Sequence, residues 1–294
     1  RYLAHIDVNG LLTSWNPDPD GPVYNLAVAG AVVYVSGDFS NIGGQPRSRI
    51  AAINATTGAA TAWNPNPDSS VEAMAVGSGV LYVGGFFNQI GGQARQYLAA
   101  LNLSTGVATT WNPNPDQVVS SLDLENGVVY VAGGFTSIGG APRRSVAALD
   151  AGSGTLLNWT TGADSLVWLI QVDGGVAYIV GGFTSIQGEP RSSVAAVHAT
   201  SGELMSWNPS PNSYVSELVA NSGTVYVAGG FTTIGGQARS GVAALDGTTG
   251  VATPWDPGIA PDGVQAIAIG PNRVYVGGQF SICNSVPRRG LAAI

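Results

Sequence analysis

The sequence has no lysine: its 11 basic residues are all arginine, set against 18 Asp and Glu for a net charge of −7 over 294 residues. Without lysine there is no Schiff-base nucleophile and no P-loop cation. Charged residues make up only 10% of the chain, where an average soluble protein has roughly 25%. So sparse and acidic a charge set offers no phosphate-binding surface, which excludes nucleic acid and anionic membranes as expected partners. The lone Cys283 leaves no internal disulfide and no thiolate metal centre. Two histidines, His5 and His198, are too few to build an imidazole one, so no metal or cofactor is expected. No apolar run approaches the ~18 residues of a membrane span. The chain opens on Arg1 without a leader-like segment and is expected to be a processed piece.

Glycine is plentiful. Its 42 residues are about 14% of the chain, twice the usual ~7%. With 45% hydrophobic residues there is ample material for a core, so disorder is excluded. Many short strands joined by tight turns are expected instead. Their order is set by a repeat: Trp15, Trp63, Trp111, Trp159, Trp207 and Trp255 are each 48 residues apart. Phe39, Phe87, Phe135, Phe183 and Phe231 keep the same step, and Phe280 comes one residue late. The delay comes from one extra residue between Trp255 and Val264.

The third copy shows the unit. Residues 119–124 read as strand A, 128–132 as strand B, 146–150 as strand C and 156–159 as strand D. The turn signals Asn126-Gly127 and Gly152-Ser-Gly154 separate A from B and C from D. Four short strands in each 48-residue repeat predict an all-β, six-bladed β-propeller in one domain, residues 1–294. The recurring Trp and Phe are expected to be blade-to-blade core.

The run Tyr130-Val-Ala-Gly-Gly-Phe135, then Arg143, Val146-Ala-Ala-Leu-Asp150 and Trp159, resembles a kelch repeat. It resembles more closely the delta-60-type repeat of bacterial propellers, with its V-G-G-x-F-T-x-I-G-G-x-x-R run, and departs from the common kelch pattern by placing the aromatic before the glycine pair rather than in strand C. The resemblance spans the whole chain. It implies a propeller of this broad group, an extracellular or cell-surface bacterial setting, and little about activity.

The phase of the repeat adds an expectation about closure. Residues 3–6 and 291–294 both read as strand C. The ring is therefore expected to close with the terminal strands sharing a blade, leaving one copy free for self-association. Within each blade, the longer B–C and D–A connections fall on one face, where binding is expected. That face holds Arg47, Arg95, Arg143, Arg191, Arg239 and Arg288. It also holds Asp20, Asp68, Asp116, Asp164, Asn212 and Asp262. The arginines either cap loop carbonyls and pair with carboxylates or grip polar ligands such as glycans.

The fourth copy departs most from the repeat, with Thr160-Thr-Gly162 in place of Asn-Pro-x, and Trp168 is an added candidate for ligand contact. Asn16-Pro-Asp18-Pro-Asp20-Gly21 imitates the start of a calcium loop, but Ala27 stands where the closing Glu belongs. Acid pairs among Asp123, Glu125, Asp173 and Glu217 could meet near a central channel, and no catalytic residue is assigned. The expected function is a non-enzymatic binding or assembly module for protein or glycan. A multivalent lectin and a polysaccharide-acting enzyme at the channel mouth are the alternatives.

Overall fold

The computed structural model describes residues 2–259 and 263–294. It falls into two compact units, residues 1–157 and 158–294. Each unit holds three antiparallel sheets of three strands in the order A–B–C. In the first unit these are Val23–Ala29, Val32–Gly37 and Ile50–Asn54; Val71–Val76, Val80–Gly85 and Leu98–Asn102; and Val119–Glu125, Val128–Gly133 and Val146–Asp150. In the second they are Val167–Asp173, Val176–Gly181 and Val194–His198; Val215–Asn221, Thr224–Gly229 and Val242–Asp246; and Val264–Ile269, Val274–Gly278 and Leu291–Ala293.

Strand B is central to each sheet, and its Val/Tyr-rich sequence is buried on both faces, as in Val80–Gly85. Strand A keeps a looser alternation and stays half-buried. Its hairpin to B turns on residues with positive φ, as at Asn126 (49°) and Gly127 (78°). Two such residues make the turn whose twist suits a two-residue hairpin.

The expected fourth strand is reduced to a single bridge per repeat, such as Ile53↔Ala60, Leu101↔Ala108 and Val197↔Leu204. Its neighbours explain why. Thr61 N–H donates to Ala52 of strand C, whereas Ala60 N–H points the other way to the Gly43 carbonyl. Gly43 belongs to a second small hairpin, Asn41–Ile42 with Gln45–Pro46, which occupies the B–C connection. Segment D is thus held between strand C and this hairpin, and the expected long B–C loop is itself ordered β-structure.

The termini also depart from expectation. The sixth sheet takes its third strand from Leu291–Ala293, paired with Val274–Gly278. Residues 3–6 join no sheet: Ile6 bridges Leu12 across a turn in which Asp7 accepts from the Asn9 and Leu11 amides. Leu291–Ala293 therefore completes the sixth sheet without residues 3–6, and that second strand-C copy stays outside every sheet.

The repeated aromatics join neighbouring sheets within each unit. Trp111 meets Tyr82 edge-on with ring centroids 5.1 Å apart, and its indole N–H donates to the Asp150 carbonyl at 3.0 Å. Tyr82 in turn donates its hydroxyl to the Ala151 carbonyl. Tyr34 and Trp63 repeat this upon Leu103 and Asn102. In the second unit Tyr178 and Trp207 do so upon Gly247 and Asp246, and the Trp159 indole donates to His198. Edge-on pairs of this kind add about 0.5–1.5 kcal/mol to the burial of the rings. Trp63, Trp111, Trp159 and Trp207 are buried, while Trp15 and Trp255 are half-buried. Phe39, Phe87, Phe135, Phe183, Phe231 and Phe280 are all buried.

Candidate functional site

Each strand A begins with a β-bulge. Pairing between A and B shifts at Val23/Asn25, Val71/Ala73, Val119/Ser121, Val167/Leu169, Val215/Glu217 and Val264/Ala266. The extra residue at each shift is Tyr24, Glu72, Ser120, Trp168, Ser216 or Gln265. A glycine on strand B makes room for the bulge: a Cβ on Gly85 would land on the Ser70 carbonyl, and one on Gly229 on the Tyr214 carbonyl. This is why a glycine stands three residues after the strand-B tyrosine in every repeat. Bulges re-aim side chains and recur beside functional sites.

Large exposed side chains surround these bulges. In the first unit Tyr24 is exposed and donates its hydroxyl to the Asp38 carboxylate at 2.7 Å, which raises the phenol pKa. Glu72 accepts from the Ser70 hydroxyl at 2.6 Å, and Phe86 stands exposed at the end of strand B. Arg49 and Tyr97 occupy positive φ (63° and 60°) where later repeats have Ser145, Ser193 and Gly241. Bulky residues in that region carry backbone strain, a recurrent property of functional loops. A cleft of about 340 Å³ there is lined by Asp20, Asp38, Phe39, Ser40, Ser48 and Arg49. In the second unit Trp168 is half-buried against Leu218 and its neighbours, and Tyr214 is exposed just before strand A.

The acidic series serves the loops. Asp116 accepts from the Thr136 and Ser137 amides and from the Thr136 hydroxyl. These bonds, the hydroxyl one foremost, hold its carboxyl at about 2. Asp164 does the same with Thr184, also at about 2. Asp20 is likewise held well below the usual range by Asn41 and Ser40. Asp68 caps Asn88 and Gln89, and Asn212 caps Thr232 and Thr233. Asp262 lies outside the described residues. The calcium-like segment around Asp18 is explained by the Asp20 clamp.

The arginine series is held by carbonyls. Arg47 donates to Pro46 and Thr61, Arg95 to Ala94 and Thr109, Arg191 to Pro190 and Met205, and Arg239 to Ala238 and Thr253. Arg143 and Arg288 donate to Pro142 and Pro287. Among the described residues the one ion pair is Arg239–Asp256, at 3.9 Å. Each guanidinium fastens the B–C hairpin, and in four repeats also segment D.

The irregular repeats preserve the same geometry by other means. In the fourth, Gln187 replaces the first turn glycine at φ 53°. Its amide donates to the Gly162 carbonyl and its side chain donates to Gly202. In the sixth, Asn284-Ser285 supplies the two positive-φ positions and Cys283 is buried beside them. Burial raises the Cys283 thiol pKa. His5 contacts Thr13 and the edge of Trp15, while His198 ends a strand.

Chemically reactive groupings are scarce. Among the described residues no cluster of three His, Cys, Asp or Glu could hold a metal ion, and no helix is long and apolar enough to cross a membrane. Glu217, one residue past a bulge, has its carboxyl pushed up to about 7 by burial, only partly opposed by the Leu218 amide. A cleft of about 460 Å³ opens on the opposite face of the first unit, floored by Tyr82 and Trp111 and rimmed by Gly77, Gly127 and Gly152. It reflects small residues at the A–B and C–D turns, a contribution that repeat spacing does not display.

No protein-family model matches the chain, and no curated protein does. Solved structures do resemble it. The computationally designed Ika8 protein superposes with TM-score 0.61 at 14% identity, over 97% of this chain and 87% of that one. The WD40 β-propeller domain of Doa1 gives 0.59 at 13%, over 94% and 83%. The Neurospora crassa Pan2 WD40 domain gives 0.58 at 12%, over 88% and 73%. At such identities the likeness gives the fold, a β-propeller built of repeated antiparallel blades.

Proposed function

We propose that this chain is a non-enzymatic binding and assembly module of six blades, exported or held at a cell surface, that engages its partner through the face bearing the bulges and the B–C and D–A connections. The observation that carries this reading is the contrast within one repeat. The Trp, Phe, Arg and Asx positions recur and are spent on packing and loop clamping. The bulge position holds six side chains of five kinds, Tyr24, Glu72, Ser120, Trp168, Ser216 and Gln265, each aimed from a rigid sheet. Rigid scaffolds with varied, exposed side chains are suited to recognising proteins. The WD40 resemblance and the kelch-like and delta-60-like character of the repeat agree with it.

A glycan ligand is the second reading. It is supported by exposed rings beside polar groups, Tyr24 with Asp38 above all, since such rings offer a flat apolar face next to hydrogen-bonding partners. One experiment addresses both. The wild type and a Tyr24→Ala/Phe86→Ala/Tyr214→Ala variant are compared by affinity capture and on a glycan array, with melting followed in parallel. A protein or sugar retained by the wild type and lost by the variant, at unchanged melting temperature, supports the face. Equal retention by both refutes it.

A further inference from the structure

Three positions of each repeat stand together where strand A begins: the bulge residue, the residue after the strand-B glycine, and the positive-φ residue before strand C. Backbone bonds fix them alike in every sheet. In the first, Asp38 N–H donates to the Pro22 carbonyl and Gly37 N–H to the Arg49 carbonyl. In the third, Gly134 and Gly133 do the same with Val118 and Ser145. The third repeat fills the three positions with Ser120, Gly134 and Ser145, and the fifth with Ser216, Gly230 and Gly241. The first repeat places Tyr24, Asp38 and Arg49 there. Small residues build the same bonds elsewhere, so the sheet does not require these three large side chains.

Asp38 and Arg49 both line the polar cleft of about 340 Å³, with Asp20, Ser40 and Ser48. The two carboxylates in it differ. Asp20 is occupied by the loop, accepting from the amides and side chains of Ser40 and Asn41. Asp38 accepts the Tyr24 hydroxyl on Oδ2 at 2.7 Å, and among the described residues nothing donates to its Oδ1. Arg49 holds φ at 63°, a conformation that the fifth and sixth repeats give to glycine, at 73° and 71°. Among the described residues its guanidinium makes one hydrogen bond, from Nη1 to the Ser48 hydroxyl at 3.3 Å, and no ion pair with Asp38. A carboxylate and a guanidinium held apart in one cleft suit a molecule that donates to the first and accepts from the second.

We propose that this cleft is a site for one neutral pyranose ring. One sugar hydroxyl donates to Asp38 Oδ1, a second accepts from the Arg49 guanidinium, and the apolar face of the ring lies on Tyr24. Adjacent hydroxyls on a pyranose both donate and accept, which matches the two groups without adding a charge. Tyr24 is 53% exposed and tied to Asp38, so its ring is already oriented beside the cleft. The cleft carries two carboxylates against one guanidinium, a balance that disfavours acidic sugars. Its volume is at the small end of ligand clefts, roughly 300–1,000 Å³, and suits a single ring. The proposal rests on the glycan reading of the loop face and narrows it to one site in the first repeat, in place of one per blade.

Ligand-observed NMR titrations at millimolar sugar test it, with glucose, galactose, mannose and N-acetylglucosamine as the probes. The wild type is expected to bind at least one of them. Asp38→Asn and Arg49→Gly are each expected to weaken that sugar by about tenfold or more, the worth of one hydrogen bond to a charged group. Their melting temperatures are expected to be no lower than the wild type's, since Asp38 is exposed and glycine suits the Arg49 backbone. Ser145→Gly, the equivalent exchange in the third repeat, is expected to bind as the wild type does. A wild type that binds none of the four overturns the proposal. A sugar held equally by both variants but lost by the Tyr24/Phe86/Tyr214 variant overturns this site and leaves the glycan reading standing. Free glycine, whose ammonium and carboxylate also span the two charges, is titrated alongside, and glycine bound in place of the sugars overturns the proposal as well.

Discussion

Between the second and third sheets of the first unit, Tyr82, Trp111 and the Asp150 carbonyl form the same arrangement as Tyr34, Trp63 and the Asn102 carbonyl one repeat earlier. A few residues away, at the strand-A bulges of those sheets, Tyr24, Glu72 and Ser120 have little in common beyond their place. The junction must fit two sheets at once, in a packed interior where losing a ring leaves a void. The bulge residue is exposed or half-buried, and the sheet imposes on it a backbone shape that different side chains satisfy, a serine bonding back to strand B in two repeats and a tryptophan packing on its neighbours in another. Repetition therefore marks what holds the protein together, and variation marks what is free to serve a partner.

Breaking the repeated side of that contrast should have the largest effect. Trp111→Ala is expected to cost about 3–5 kcal/mol, a large share of an ordinary stability margin of about 5–15 kcal/mol; a denaturant titration measures it. Glu217 comes next. Its folded pKa of about 7 lies above the ordinary 4.5, so its stabilising contribution is complete below about pH 4.5 and is lost as pH rises toward 7. Glu217→Gln should flatten that dependence and raise stability above pH 7 by at most about 3 kcal/mol. Melting curves between pH 4 and 8 would show it, and a parallel decline in both proteins would contradict it.

Smaller effects sharpen the comparison. Asp116→Ala removes the cap on Thr136 and Ser137 and should cost about 1–2 kcal/mol, like the loss of a helix cap. Its carboxyl is held near 2, so the contribution is present above about pH 4 and fades as pH falls toward 2. Arg143→Ala separates a clamp from a ligand contact: a lowered melting temperature with retained partner binding is expected. The smallest change belongs to the varied positions. Phe86→Ala should shift stability by no more than about 0.5 kcal/mol, while reducing partner capture; equal capture would remove that residue from the binding face.

The sequence displays the repeated part of this molecule and conceals the rest for definite reasons. The 48-residue spacing of Trp and Phe marks the wedges because a wedge needs the same large ring each time. Strand D reads as a strand in its side chains, yet its amides are divided between strand C and the Gly43 hairpin, a backbone matter that leaves no side-chain signature. The bulges are equally silent: one unpaired residue changes no periodicity. Trp168 is noticeable as an aromatic outside the pattern, whereas Tyr24 and Glu72 emerge only when the copies are aligned position by position. The arginines recur like core residues, and the structure shows them serving loop carbonyls.

Segment D, caught between a sheet and a small hairpin and fastened by an arginine, has a mechanical consequence for recognition. The loop face is not a set of mobile fingers that must be stilled when something arrives. Much of the conformational entropy that flexible loops surrender on capture has already been lost during folding, so changes in affinity here should reflect the chemistry of the side chains presented more than the ordering of their backbone.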